Sequence, residues 1–416
     1  MQRDGRLKWL VLALASIAIA GNYYAFDSIA PVADLLRTQR GFSQSQIGLL
    51  NAVLGLPNIP LSLAGGLLID RFGASRIAVG TAGLCFAGTI LSAIGDPFGL
   101  MVFGRLLFGI GQETLLIALL AGLAQWFHAR SAALAMSLLF SLARVGSYMA
   151  DISPRWAAGL YDGGWQPPLW LAAGLTAISF GGALAYFSLD LHSRGTAARG
   201  RQSWAGLFDV GGFDRSYWYI LTLNVLFASV FFPFRSTFAI VYFQDAKGLT
   251  LGDAGLVNSW VFFTAIFATP IFGLVADRFG HRASMLALGA ALMPMTFLTL
   301  GATHWSLWIS TAMMGLSFSV VPAVIWPATA MLVAPRRLGT AYGLINVLQS
   351  LGLTICNLAA GRLNDASRAG PHNPGGYASM LWLFGLLATV GFIATVALWV
   401  RERGPNGHGL GSAVAD

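Results

Sequence analysis

Runs of about twenty apolar residues, broken by short polar turns, recur along the whole chain. They fall at 9–30, 46–68, 77–95, 100–127, 131–155, 168–188, 217–243, 252–275, 283–302, 306–333, 339–361 and 378–400. A helix rises about 1.5 Å per residue, so each run is long enough to cross the ~30 Å hydrocarbon layer. The pattern predicts an all-α polytopic membrane protein with twelve transmembrane helices. Composition agrees: 56% of the 416 residues are hydrophobic and 10% are charged, against about 25% charged in a soluble domain. The first run is too long for a removable signal peptide and has no small-residue cleavage site.

A few ionisable residues interrupt the apolar runs. Arg105 and Glu113 lie in the fourth run; Arg144 and Asp151 lie in the fifth. The turn WFHARS joins these two runs. Counted from His128, Glu113 is 15 residues before and Arg144 is 16 after, while Arg105 and Asp151 are each 23 away. In an antiparallel hairpin equal counts mean equal depth. The spacing therefore predicts Glu113 beside Arg144 at roughly 20 Å depth, and Arg105 beside Asp151 nearer the far end. Charges at such depth face a partner, a bundle interior or a water-filled cavity. Arg105 has a second acidic candidate, Asp27, at matching depth in the first run. These readings make Asp27, Arg105 and Asp151 coupling residues.

The basic residues sort by side. With the N-terminus inside, the inner segments hold sixteen Lys and Arg, the outer loops hold six, and Arg105, Arg144 and Arg235 lie within runs, twenty-five in all. That bias places both termini in the cytoplasm, so the net charge of +8 is topogenic and does not indicate nucleic acid. Cys85 and Cys356 fall inside runs and suggest neither a disulfide framework nor a metal site. GIGQET at 109–114 lies within an apolar run and follows no strand, so it is not a nucleotide loop.

The second half repeats the first. Gly273-Leu-Val-Ala-Asp277-Arg278-Phe279-Gly280 matches Gly66-Leu-Leu-Ile-Asp70-Arg71-Phe72-Gly73 at an offset of 207, and Arg337 lies 207 beyond Arg130. The basic, glycine-rich stretch at 191–215 is the long connection. The expected organisation is an N-terminal six-helix half at 1–190, a cytoplasmic linker at 191–215 and a C-terminal six-helix half at 216–416. Parallel repeats with a site near the midplane are a transporter plan. In each repeated loop, glycine permits close helix approach and the aspartate suits a neighbouring helix N-terminus. Asp70, Arg71, Asp277 and Arg278 are therefore candidate latch residues of the gating machinery; plain topogenic turns are the simpler alternative.

Further candidates line the predicted cavity. Tyr23 and Tyr24 stand 100° apart around one helix, so one of them at most faces it. Arg235 follows Pro233 by two residues and is read either as a carboxylate ligand or as a side chain reaching the outer surface. Trp326, before Pro327, is read as a stacking or packing residue. Asn346 and Gln349, one turn apart, offer hydrogen bonds to a solute or to a neighbouring helix.

The duplicated loop, together with Arg105-Leu-Leu-Phe-Gly109-Ile-Gly111, resembles the signatures of the major facilitator superfamily. GNYYAFD at 21–27, GGLLIDRFG at 65–73, FGRLLFGIGQET at 103–114, SLARVGS at 141–147, FFPF at 231–234 and LGTAYGLINVLQSLGL at 338–353 are similar to its lysosomal dipeptide-uniporter branch and that branch's bacterial relatives. The resemblance implies a dipeptide carrier whose helix 4 acid and helix 5 arginine, here Glu113 and Arg144, face the cavity. The chemistry suits a zwitterion: a carboxylate for its ammonium, and a planar guanidinium for bidentate grip of its carboxylate. The chain has no N-x-S/T sequon and no long sorting tail, so a lysosomal address is not expected to transfer. Its 23 Arg to 2 Lys would suit a GC-rich bacterial genome and hence an inner-membrane location.

The expectation is an alternating-access transporter of small zwitterionic organic solutes, dipeptides first. It is expected to be a monomer in the bilayer, without cofactor or nucleic-acid partner, with protons as a candidate co-substrate. The rival reading is a proton-coupled organic-anion or drug exporter, in which Arg144 and Arg235 would hold a dianion. A membrane sensor or assembly factor is the second rival. An enzyme is least favoured, since no nucleophile–base pair or metal-ligand spacing occurs.

Overall fold

The computed structural model describes residues 5–127, 129–193, 213–302, 306–334, 337–405, 407, 408 and 410. At 5, 6, 62–67, 70, 129, 130, 132, 133, 192, 193, 277 and 302 it describes the backbone alone. Twelve long helical segments follow one another, matching the apolar runs. They are α1 (Gly5–Asp27, continued as Ile29–Arg40), α2 (Gln44–Gly55, continued as Asn58–Phe72), α3 (Ala74–Ile94), α4 (Phe98–Trp126), α5 (Ala129–Asp151) and α6 (Gln166–Ser193). Then come α7 (Arg215–Pro233, continued as Ala239–Lys247), α8 (Leu251–Phe279), α9 (Arg282–Ala302), α10 (Leu307–Leu332), α11 (Leu338–Ala366) and α12 (Ala378–Glu402). Among the described residues, ten of these segments are long and apolar enough to cross a membrane by length and composition.

The broken segments have local causes. The rods of α2 part at Leu56-Pro57, where proline removes a backbone donor. In α7, Pro233 is followed by a π-helical turn at Phe234–Phe238, which the proline pattern alone does not foretell.

The chain divides into two compact units. The first holds the described residues of Met1–Phe42 and Leu49–Ser203; the second holds Ser43–Gly48 and the described residues of Trp204–Asp416. In the first, α3 packs on α4 and α6, α1 on α5 and α6, and α2 on α4. The second repeats these pairings six helices later: α9 on α10 and α12, α7 on α11 and α12, and α8 on α10. The repetition read at the two loops thus extends to the packing of whole helices.

Small residues set how closely these helices approach. A Cβ added at Gly104 of α4 would meet the carbonyl oxygen of Gly88 of α3 at 2.6 Å, so a side chain there would push two backbones apart. Such contacts do the packing work in lipid, where apolar side chains gain little by leaving the solvent. The ends of α2 and α8 share a second glycine device. Gly73 has φ of 89° and Gly280 has φ of 66°, both in the region that side-chain-bearing residues avoid. Each caps its helix by donating to the carbonyl four residues back, Ile69 and Ala276.

Candidate functional site

The hairpin of α4 and α5 carries the site. Glu113 stands midway along α4 and Arg144 in the second half of α5, each about 20 Å from the turn at the helical rise. The guanidinium of Arg144 acts electrostatically on the Glu113 carboxylate. It also lies over the ring of Tyr23, 5.3 Å from its centre. Tyr23 comes from α1, which packs against both α4 and α5, and it feels Arg144, Glu113 and Asp27. All three side chains are half-buried and keep part of their surface open. An acid, a planar cation and a phenol ring thus converge from three helices of one unit.

Tyr24 does not join them. It is 3% exposed, packs among Ala25, Leu54, Cys85, Phe108, Ala150 and Ala172, and meets Trp156 at 6.4 Å between ring centres. One step along a helix turns a side chain by 100°, and that step takes Tyr24 out of the site and into the core.

The expected pairing of Arg105 with Asp151 is not what the structure holds. Arg105 is 3% exposed, and its guanidinium spends its donors elsewhere. Nε donates to Leu50 O (3.2 Å), one terminal nitrogen to Ala25 O (2.9 Å), and the other to Phe26 O (2.9 Å) and Asn51 Oδ1 (2.6 Å). The reason lies in α1, whose first rod ends at Asp27 and leaves carbonyls without helical partners. Their negative helix end draws a cation. Asp27, buried at the same end, adds its charge to the pull on Arg105. Asp151 is also fully buried, but lies within electrostatic reach of Tyr161. Arg105 and Asp151 thus have different partners.

The second unit engages most of its candidates internally. Arg235 sits on the π-helical turn of α7 and is 0% exposed. Its guanidinium lies 3.9 Å from the centre of the Phe262 ring and donates to Ser236 Oγ (3.2 Å), while its carbonyl accepts from Asn258. Full burial excludes the reading of a side chain that reaches the outer surface. Gln349 of α11 accepts from Asn224 of α7 at 2.8 Å, a bond between helices. Trp326 of α10 packs edge-on to Tyr342, with 5.4 Å between ring centres, and its carbonyl accepts from the Tyr342 hydroxyl. Asn346 is half-buried one turn before Gln349.

In the repeated loops, Arg71 and Arg278 are exposed and lie against the neighbouring rings of Phe72 (5.3 Å) and Phe279 (5.7 Å). The side chains of Asp70 and Asp277 lie outside the described residues, as do His128 and most of the stretch at 191–215. Cys85 and Cys356 are free and buried.

Sequence reasoning missed one polar network. The Asp365 carboxylate accepts the backbone N–H groups of Gln44 and Ser45, both at 2.8 Å. Gln44 Nε2 donates to the Tyr377 hydroxyl (3.0 Å), which donates to Asp245 (2.6 Å). Gly361, one turn before Asp365, lets the backbone at Gln44 lie against α11. Ser43–Gly48 is therefore held within the second unit by a cap contributed from 320 residues away. The available signal was small, Asn357-x-x-x-Gly361-x-x-x-Asp365, one face of a helix in a run otherwise apolar.

Comparison with known proteins places this arrangement. The human (Homo sapiens) lysosomal dipeptide transporter MFSD1 is 30% identical over 415 residues, covering 96% of this chain and 87% of its own. A probable sulfoacetate transporter of Cupriavidus necator is 23% identical, covering 83% and 85%. In fold, the chain matches the crystal structure of a D-xylose–proton symporter with a TM-score of 0.73 at 17% identity, over 94% of this chain and 97% of that one. The Major Facilitator Superfamily model matches residues 15–250 and 223–415. The chain is a membrane transporter, and it belongs to the major facilitator superfamily.

Proposed function

We propose that this transporter carries small zwitterionic solutes, dipeptides first, by alternating access, and that Glu113, Arg144 and Tyr23 bind them. The observation that carries the reading is the convergence of those three half-open side chains from α4, α5 and α1. A dipeptide presents an ammonium and a carboxylate at opposite ends. Glu113 takes the ammonium, Arg144 takes the carboxylate with two parallel N–H donors, and Tyr23 holds the guanidinium face by its ring quadrupole. The 30% identity to a lysosomal dipeptide transporter supports the same solute class. In the second unit, Asn346 and Gln349 offer adaptable polar contacts.

Arg105, with Asp27 and Asn51, belongs to the framework that holds the first rod of α1 against α2 and α4. The repeated loops with Arg71 and Arg278 serve gating, and the excess of basic residues on one side orients both termini to the cytoplasm. The test is uptake into liposomes of a labelled dipeptide, with unlabelled dipeptide, N-acetylated dipeptide and a dicarboxylate as competitors. Competition by the free dipeptide alone supports the reading. Competition by the dicarboxylate alone favours an organic-anion carrier and overturns it.

A further inference from the structure

One cleft lies wholly within the second unit and takes no part in the site above. It has a volume of about 560 Å³ and runs between the second rod of α7, α9 and α12. Its walls are apolar: Pro294, Phe297 and Leu298 of α9 face Leu381, Trp382 and Leu386 of α12. The rim residues are open to the surroundings, with Leu298 at 59%, Leu386 at 61% and Trp382 at 68% exposure. On a soluble protein such a patch would mark a docking surface. Here the helices span a bilayer, so the cleft opens onto lipid.

Two glycines help to keep the cleft open. Gly301 and Gly385 lie on its walls, and a Cβ added at Gly385 would meet only Phe297 Cβ, at 3.6 Å. A larger side chain there would project into the space between the helices. Pro294, inside α9, lies on the same wall.

One end of the cleft is charged. Lys247, the last residue of the α7 span, is the one charged side chain among the described residues lining it. Its ammonium donates to Leu300 O at 2.9 Å and lies 5.7 Å from the centre of the Tyr242 ring. An ammonium has three donors, so two remain for a ligand. The nearest acid on the same rod, Asp245, accepts from the Tyr377 hydroxyl instead. A cation at the end of a span stands at headgroup level, with an apolar slot running from it towards the bilayer centre.

We propose that this cleft is a phospholipid site, one acyl chain lying between α9 and α12 and the phosphate seated on Lys247. Charge complementarity selects the occupant. A fatty chain alone would leave the ammonium unanswered, and a free phosphate would leave the apolar slot unfilled. The site prefers anionic phosphatidylglycerol to zwitterionic phosphatidylcholine, whose own ammonium competes with that of Lys247.

Native mass spectrometry of the detergent-purified protein tests it, titrating phosphatidylglycerol, phosphatidylcholine and inorganic phosphate in turn. The wild type should hold one phosphatidylglycerol more tightly than phosphatidylcholine, with no adduct from phosphate alone. Lys247→Gln should reduce phosphatidylglycerol binding about fivefold, the worth of one basic residue at an anionic surface, and should abolish the preference between the two lipids. Gly385→Leu should lower occupancy by both lipids while leaving the melting temperature in lipid-free detergent unchanged; Lys247→Arg should keep the preference. Equal lipid binding in the wild type, Lys247→Gln and Gly385→Leu would overturn the proposal. So would a dimer mass in place of the lipid adduct, which would make the cleft a subunit contact.

Discussion

The guanidinium of Arg144, on α5, lies 5.3 Å from the centre of the Tyr23 ring, on α1. The contact ties a mid-span cation to an aromatic face. It also draws α1 into a site that the α4–α5 hairpin would otherwise form alone.

That geometry separates ring from hydroxyl. Tyr23→Phe keeps the face that Arg144 lies on and should change dipeptide affinity little. Tyr23→Ala removes it, and losing about 1 kcal/mol of cation–π attraction should weaken affinity about fivefold. Isothermal titration with one dipeptide decides between them. Equal losses in the two variants would show that the hydroxyl, not the ring, serves the site.

Glu113 and Arg144 answer a different question. If they are a structural pair alone, Glu113→Gln/Arg144→Gln should recover most of what either single change removes. If they hold the two ends of a zwitterion, transport stays lost in the double variant, which is the outcome we expect. Glu113→Gln should weaken a free dipeptide by about 1.5–3 kcal/mol, the worth of a hydrogen bond to a charged group. It should weaken the N-acetylated form far less, since acetylation removes the ammonium. Identical fold losses for the two forms would remove Glu113 from the role assigned to it.

Arg105 should behave as framework. Its four hydrogen bonds reach three carbonyls and one amide oxygen on two other helices. Arg105→Ala leaves those acceptors buried without their donor, and should cost about 3 kcal/mol or more of stability. Arg105→Lys should recover little of it, because one compact ammonium cannot reach acceptors spread around a planar fork. Thermal unfolding checks both. A variant that melts with the wild type and has lost only dipeptide binding would place Arg105 in the site instead.

The Asp365 cap predicts a local effect. Asp365→Ala removes the acceptor for two backbone N–H groups, a loss worth about 0.5–2 kcal/mol at a helix N-cap. Amide hydrogen exchange at Gln44 and Ser45 should quicken several-fold, while exchange along α9 stays as it was. We expect transport rate to change with it and dipeptide affinity to hold. Unaltered exchange at Gln44 would show that Gly361 and Tyr377 hold the segment without the carboxylate.

Much of this protein could be read from residue order alone, because the bilayer reduces folding to a few strong rules. A backbone in hydrocarbon must satisfy its own hydrogen bonds, so twenty apolar residues mean a helix, and twelve such runs meant twelve helices. The duplicated glycine loops pointed to two halves because a covalent repeat survives as a constant offset. The depths of Glu113 and Arg144 followed from counting residues, since the helical rise is constant. Direction around a helix was another matter. Counting placed Arg105 and Asp151 level, but carbonyls at the end of the first rod of α1, with Leu50 O and Asn51 of α2, took the donors of Arg105. Counting also could not choose between Tyr23 and Tyr24, 100° apart, until the packing of α1 against α5 turned one towards Arg144 and the other into the core. Sequence left Arg235 as a carboxylate ligand or a side chain reaching the outer surface; it is fully buried on the π-helical turn after Pro233, against Phe262. The Asp365 cap joins residues 320 positions apart. Depth is a one-dimensional quantity that sequence carries; rotation and long-range partnership depend on which neighbours arrive, and only the packed helices decided those.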